Sequence, residues 1–164
     1  MSTRDLSDFN TSELPYFQED VRVGMVVAEW NKEITTALLD GAVFLLMKQG
    51  IKKENIIIEY VPGSFELIHG AKLLAENIDL DGIIVIGAII KGETPHFDFI
   101  SQGVTYGIAK LNVELNLPFI FSVLTTNNET QAKDRAGGMY GNKGIEGAAT
   151  LLRMIELSRR YKKI

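Results

Sequence analysis

The chain has 164 residues, 46% of them hydrophobic and 23% charged, a balance expected of one soluble domain able to bury a sizeable core. A net charge of −4, with no basic stripe outside the tail Arg159-Arg160-Tyr161-Lys162-Lys163, argues against a nucleic-acid partner. Having no cysteine, two histidines without metal-ligand spacing, and no run near the ~20 apolar residues of a membrane span, the chain is expected to hold no disulfide and no metal and to enter no membrane.

Residues 1–20 are polar apart from a few residues including Pro15, Tyr16 and Phe17, and read as an N-terminal arm that docks elsewhere rather than as a core element. They contain no signal-type apolar stretch, so the expected location is cytoplasmic. Residues 21–28 (VRVGMVVA) predict a strand. After Glu29-Trp30-Asn31 the pattern predicts an amphipathic helix over 34–49, stopped by Gly50, with Leu38, Val43, Leu46 and Met47 as its buried stripe. Residues 55–61 (NIIIEYV) form a β-branched strand, and Pro62-Gly63-Ser64 turns the chain into a helix over 65–77 that Ser64 is expected to cap. His69, inside that helix, reads as structural.

The apolar run over 82–89 predicts a strand buried on both faces. It opens into Lys91-Gly92-Glu93-Thr94, where Thr94 suits an N-cap and Pro95 the first position of a helix over 95–116, which Leu117-Pro118 ends. Residues 119–125 (FIFSVLT) predict a fourth strand, and Asn128 with Gln131 three residues on predicts a capping box for a short helix reaching 136. Residues 137–144 read as a flexible glycine-rich loop. It is no phosphate-binding P-loop, because Asn142-Lys143-Gly144 lacks the Lys-Ser/Thr pair and no strand precedes it. A last helix is predicted over 145–161.

Four alternations of strand and helix predict an α/β fold: a three-layer αβα sandwich around a four-stranded parallel sheet, one domain over 1–164 with the arm at 1–20. Ligands of such sheets bind beyond the carboxyl ends of the strands. The turns there offer Trp30 and Asn31, then Gly63-Ser64-Phe65-Glu66, then residues 91–96, then Thr125-Thr126-Asn127-Asn128. The helix N-terminus behind Gly92-Glu93-Thr94 is a candidate anion cradle, and His96 at its mouth is a candidate proton-transfer group. A stacking aromatic, a carboxylate, an anion cradle and an imidazole on one rim suit a planar polar heterocycle plus a phosphate. Each also has an ordinary reading: Trp30 as an edge cover, Glu66 as a helix-dipole partner, Phe121 as a core residue by strand periodicity, Arg135 as surface. Their clustering at the strand ends carries the weight.

Four spaced motifs, in order, carry a resemblance. They are Val61-Pro62-Gly63-Ser64-Phe65-Glu66, the stretch GAIIKGETPHFDF from Gly87, Thr125-Thr126-Asn127, and Asp134-Arg135-Ala136-Gly137 followed by Gly141-Asn142-Lys143-Gly144. From about Val21 to the final helix the chain resembles the 6,7-dimethyl-8-ribityllumazine synthases of riboflavin biosynthesis. The resemblance implies a flavodoxin-like sheet and a transferase that needs no cofactor. Its reaction condenses 5-amino-6-(D-ribitylamino)uracil with 3,4-dihydroxy-2-butanone 4-phosphate, releasing phosphate and water. It further implies that Trp30, replacing the phenylalanine of many members, stacks on the pyrimidine, and that Asn31 also binds the ribitylaminouracil. Ser64, Phe65, Glu66, Ala88, Ile89 and Ile90 bind the ring and ribityl chain, with Lys143 as a further ring contact. Phe121 closes the pocket from a neighbouring subunit. Arg135 and the backbone of Glu93 and Thr94 hold the phosphate, Glu93 standing where several members carry a small residue, and His96 transfers protons. The partners it implies are these small molecules and further copies of the chain, in a homopentamer or in an icosahedral, sixty-subunit capsid, with riboflavin synthase as a candidate companion. A non-catalytic flavin- or lumazine-binding module, an archaeal-type riboflavin synthase and a shell protein remain open as alternatives.

Overall fold

The computed structural model describes residues 5, 7, 11–17 and 20–161; the rest of the arm and Lys162 and Lys163 of the basic tail lie outside the described residues. Runs of β-branched and other apolar residues form β1 (Val23–Ala28), β2 (Ile56–Val61), β3 (Gly82–Ile90) and β4 (Phe119–Thr126). They pair in parallel in the order β2-β1-β3-β4. Helices α1 (Lys32–Lys48), α2 (Leu67–Asn77), α3 (His96–Glu114), α4 (Glu129–Lys133) and α5 (Lys143–Tyr161) follow in turn, and a small antiparallel pair, β5 (Ala136–Gly138) and β6 (Gly141–Asn142), precedes α5.

The continuous apolar character of β1 and β3 follows from their burial on both faces, successive side chains entering different cores. Met25, Val27, Ile84 and Ile86 pack with Leu38 and Leu46 of α1 and Leu151 and Leu152 of α5. Val26, Ala28, Ile83 and Val85 pack with Leu67 and Ala71 of α2 and Val104 and Ile108 of α3. The result is the flavodoxin-like αβα sandwich, with two helices on each face.

Several local expectations are corrected. In the expected stripe of α1, Leu38 and Leu46 are buried and Val43 packs partly buried against the core, whereas Met47 is 46% exposed and Leu39, Ala42 and Leu45 complete the buried face. Ser64 does not cap α2 through its side chain: the helix starts at Leu67, whose N–H donates to the Ser64 carbonyl at 3.3 Å. Nor does Thr94 cap α3; Pro95 occupies that position, and its carbonyl accepts from Asp98 and Phe99. The loop over 137–144 is instead the β5–β6 hairpin leading directly into α5. The arm, too, is partly core. Leu14 and Phe17 are buried, Phe17 N–H donates to the Gln49 carbonyl at 3.0 Å, and the Arg159 guanidinium lies 5.3 Å from the Phe17 ring centroid. Phe121 is 38% exposed rather than core, since β4 forms a sheet edge.

Candidate active site

The chain leaves β1 to build β2 on one side and returns to build β3 on the other, so the sheet splits beyond the carboxyl end of β1, where α/β proteins of this kind hold ligands. A cleft of about 410 Å³ opens there. Trp30 and Asn31 form the wall after β1, Ser64, Phe65 and Glu66 the wall after β2, and Ala88, Ile89 and Ile90 the floor at the end of β3. Gly92, Thr94 and His96 complete it from the turn into α3, together with Phe97 and Ile100.

Local folding explains each placement. The β1–β2 ladder runs on past the strands, Glu29 N–H donating to the Val61 carbonyl at 2.8 Å and Trp30 N–H to Pro62 at 3.1 Å, so the two loops leave the sheet side by side. Asn31 is left-handed, with φ 58° and ψ 44°, and its amide donates to the Ala88 carbonyl at 2.8 Å. The Glu66 carboxylate accepts from Gly63 N–H at 3.1 Å, which fixes one carboxylate oxygen and leaves the other for a ligand in the cleft. Ser64 is buried against Gly87, where an added Cβ would lie 2.8 Å from its Oγ. At Gly92 an added Cβ would meet nothing within 4 Å, so the cradle in front of α3 is open. Oriented N–H groups and the positive end of the helix dipole favour an anion there.

The family model for 6,7-dimethyl-8-ribityllumazine synthase matches residues 20–159. The chain is 51% identical over 155 residues to a protein of that name from Parabacteroides distasonis, covering 94% of this chain and 96% of the relative. Over 136 residues it is 55% identical to another of that name from Bacteroides fragilis, covering 83% and 95%, and over 155 residues 48% identical to one from Porphyromonas gingivalis, covering 94% and 96%. The chain belongs to the 6,7-dimethyl-8-ribityllumazine synthase family.

Of the residues that the lumazine synthase resemblance implies, ten side chains and turn residues from Trp30 to His96 meet in this cleft, but four do not line it. Glu93 is exposed, on the turn between two cleft residues. Arg135 donates from Nη1 to the Gln131 carbonyl at 2.9 Å and lies 4.8 Å from the Tyr140 ring centroid. Phe121 and Lys143 line a separate cavity of about 370 Å³ between β4 and α5. There Lys143 is buried, its Nζ 2.5 Å from Glu146 Oε1, and its carbonyl accepts from Ser122 Oγ at 3.0 Å. On α4, Lys133 pairs with Glu129 at 2.9 Å and with Glu33 of α1 at 3.2 Å, and these hydrogen bonds hold its ammonium above the usual lysine pKa. Phe97 and Ile100 are cleft residues that the sequence reading passed over. The signal was available: Ile100 follows His96 by four positions, one helical turn on the same face.

Proposed function

We propose that this cleft condenses 5-amino-6-(D-ribitylamino)uracil with 3,4-dihydroxy-2-butanone 4-phosphate to give 6,7-dimethyl-8-ribityllumazine, releasing phosphate and water. The chain is then a transferase of riboflavin biosynthesis. The observation that carries the reading is the meeting of Trp30, the Glu66 carboxylate and His96 in one cleft, in a chain about half identical to synthases of that name.

In this reading the pyrimidine stacks on Trp30, and Ser64, Phe65, Glu66 and the end of β3 hold its polar edge and ribityl chain. The butanone phosphate lies across Gly92 to Thr94 at the start of α3. The 5-amino group of the uracil attacks the ketone carbon and water leaves to form the imine; phosphate is eliminated, and the ribitylamino nitrogen closes the ring on the carbonyl so formed with loss of a second water. His96 moves protons in these steps. Ordinary proton-transfer assistance contributes about 10²–10⁴-fold. Phe121, Lys143 and Arg135 lie outside the cleft of their own chain, and they act in the cleft of an adjacent subunit.

The deciding experiment is an assay of purified protein with the two substrates, following the lumazine by its absorbance. Product formation with stoichiometric phosphate release is the expected result. Tight lumazine or flavin binding with no turnover would make the chain a binding module, and consumption of lumazine to give riboflavin would make it a riboflavin synthase.

A further inference from the structure

Trp30 is 67% exposed, so burial does not hold its indole in place. Two hydrogen bonds tie the turn that carries it to the flanking strands, and a third contact lies against the ring itself. The backbone N–H of Trp30 donates to the Pro62 carbonyl beyond β2, while the next residue, Asn31, is tied through its amide to Ala88 of β3 at 2.8 Å. The third contact is with Gly63. A Cβ there would lie 2.7 Å from both Cε3 and Cζ3 of the indole and 3.0 Å from Glu66 Oε2, closer to the ring than real Cβ atoms approach. The backbone does not need glycine at this position: Gly63 is not among the residues with positive φ. It is the ring lying on it that does. Asn31, by contrast, is the single non-glycine residue with positive φ among those described, and such strain persists where the surroundings over-determine it, as the bond to Ala88 does here.

We propose that Gly63 and Asn31 are positioning residues that set the plane of the Trp30 indole, Gly63 as the flat seat under the ring and Asn31 as the tie to β3. The consequence for turnover rests on the reading of Trp30 as the face on which the pyrimidine stacks; the positioning itself does not. Alanine at 63 lifts the six-membered edge of the indole from its seat, and loss of the amide at 31 frees the turn that carries it.

Trp30 is the only tryptophan, so its emission reports on this arrangement without any substrate. The expected result is that Gly63→Ala and Asn31→Gly each shift the emission maximum and the acrylamide quenching of the ligand-free protein, glycine at 31 keeping the left-handed backbone while removing the tie. Unchanged emission and quenching in Gly63→Ala would overturn the proposal whether or not the chain forms lumazine. In turnover, Gly63→Ala is expected to raise KM for the pyrimidine about tenfold, the scale of one lost stacking contact, with KM for the butanone phosphate within about twofold. In a Trp30→Ala background, which leaves the core untouched, the same substitution should change the pyrimidine KM by less than about twofold, because its effect passes through the indole. A tenfold effect that survives in that background would assign Gly63 to Glu66 or to the substrate directly, and would also overturn the proposal.

Discussion

His96 stands at the first residue of α3, exposed and lining the cleft, and among the described residues its imidazole has no hydrogen-bond partner. A ring so placed can turn toward a bound ligand and exchange protons with it. His96→Ala is therefore expected to lower kcat by about 10²–10⁴-fold while leaving the affinity for the pyrimidine, read by quenching of Trp30, within about twofold. A change in kcat of less than twofold would remove His96 from the chemistry. The sequence made this histidine visible because a strand, a polar turn and a proline announce a helix start around it. Gly63 was not visible in the same way. Its neighbours Pro62 and Ser64 make any glycine look like a turn residue, and only the three-dimensional meeting of two loops shows that an indole lies on it. Phe121 misled for a related reason: alternation along β4 indicates which side chains share a face but not that the strand is an edge.

At the scale of elements, the four long strands and four long helices were legible because each carries a sustained apolar period, while their ends were shifted by competition among neighbouring carbonyls and N–H groups. The β5–β6 hairpin was not legible. Strands of three and two residues are too short to show alternation, and the hairpin is defined by Ala136 standing opposite Asn142 and Gly138 opposite Gly141, with Lys143 N–H donating to the Arg135 carbonyl at 2.9 Å beyond the strand ends. Its hub is Asn142. The side-chain oxygen accepts from Gly144 N–H at 2.8 Å and Ile145 N–H at 3.3 Å, opening α5, and the amide donates to the Ala37 carbonyl of α1 at 2.9 Å. Ser7 Oγ in turn accepts from Asn142 N–H at 3.1 Å. Loss of a cap costs about 1 kcal/mol, and loss of the side-chain hydrogen bond that ties Asn142 to α1 about as much again. Asn142→Ala is thus expected to lower unfolding stability by about 2 kcal/mol in urea titration. Asn142→Asp, which keeps the acceptor for α5 and loses the donor to Ala37, should fall between; equal losses in the two variants would show that the cap contributes little.

The whole molecule presents apolar surface that one chain leaves uncovered. On α3, Phe99, Tyr106 and Val113 recur every seven residues and are 71%, 74% and 87% exposed, aligned on the outer face. On the edge strand β2 Tyr60 is 57% exposed, on α2 Leu73 is 48% exposed, and across the sheet at β4 Phe121 stands open. Exposed large apolar side chains aligned in this way suit association, and an unpaired edge strand is a liability that a neighbouring chain removes. The cleft makes the same demand, since condensation of an amine with a carbonyl benefits from a closed, positioned pocket, and Phe121, Lys143 and Arg135 do not line this cleft in their own chain. The proposed solution is a ring of five copies, each lending these residues to the next, with the sixty-subunit shell as its further assembly. Deleting residues 1–20 would test this poorly, because it also strips Leu14 and Phe17 from the core. Substitution of the α3 stripe is cleaner, Tyr106 being exposed in the single chain. Size-exclusion chromatography with light scattering is expected to give at least a pentamer for the unaltered protein, and smaller species with an unchanged far-UV circular dichroism spectrum for Tyr106→Arg. Activity should fall together with assembly, because in this proposal the neighbour supplies Arg135 to the phosphate and Phe121 to close the cleft. A monomeric Tyr106→Arg protein with full turnover would mean that each chain completes its own site, and Phe121, Lys143 and Arg135 would then have no part in it.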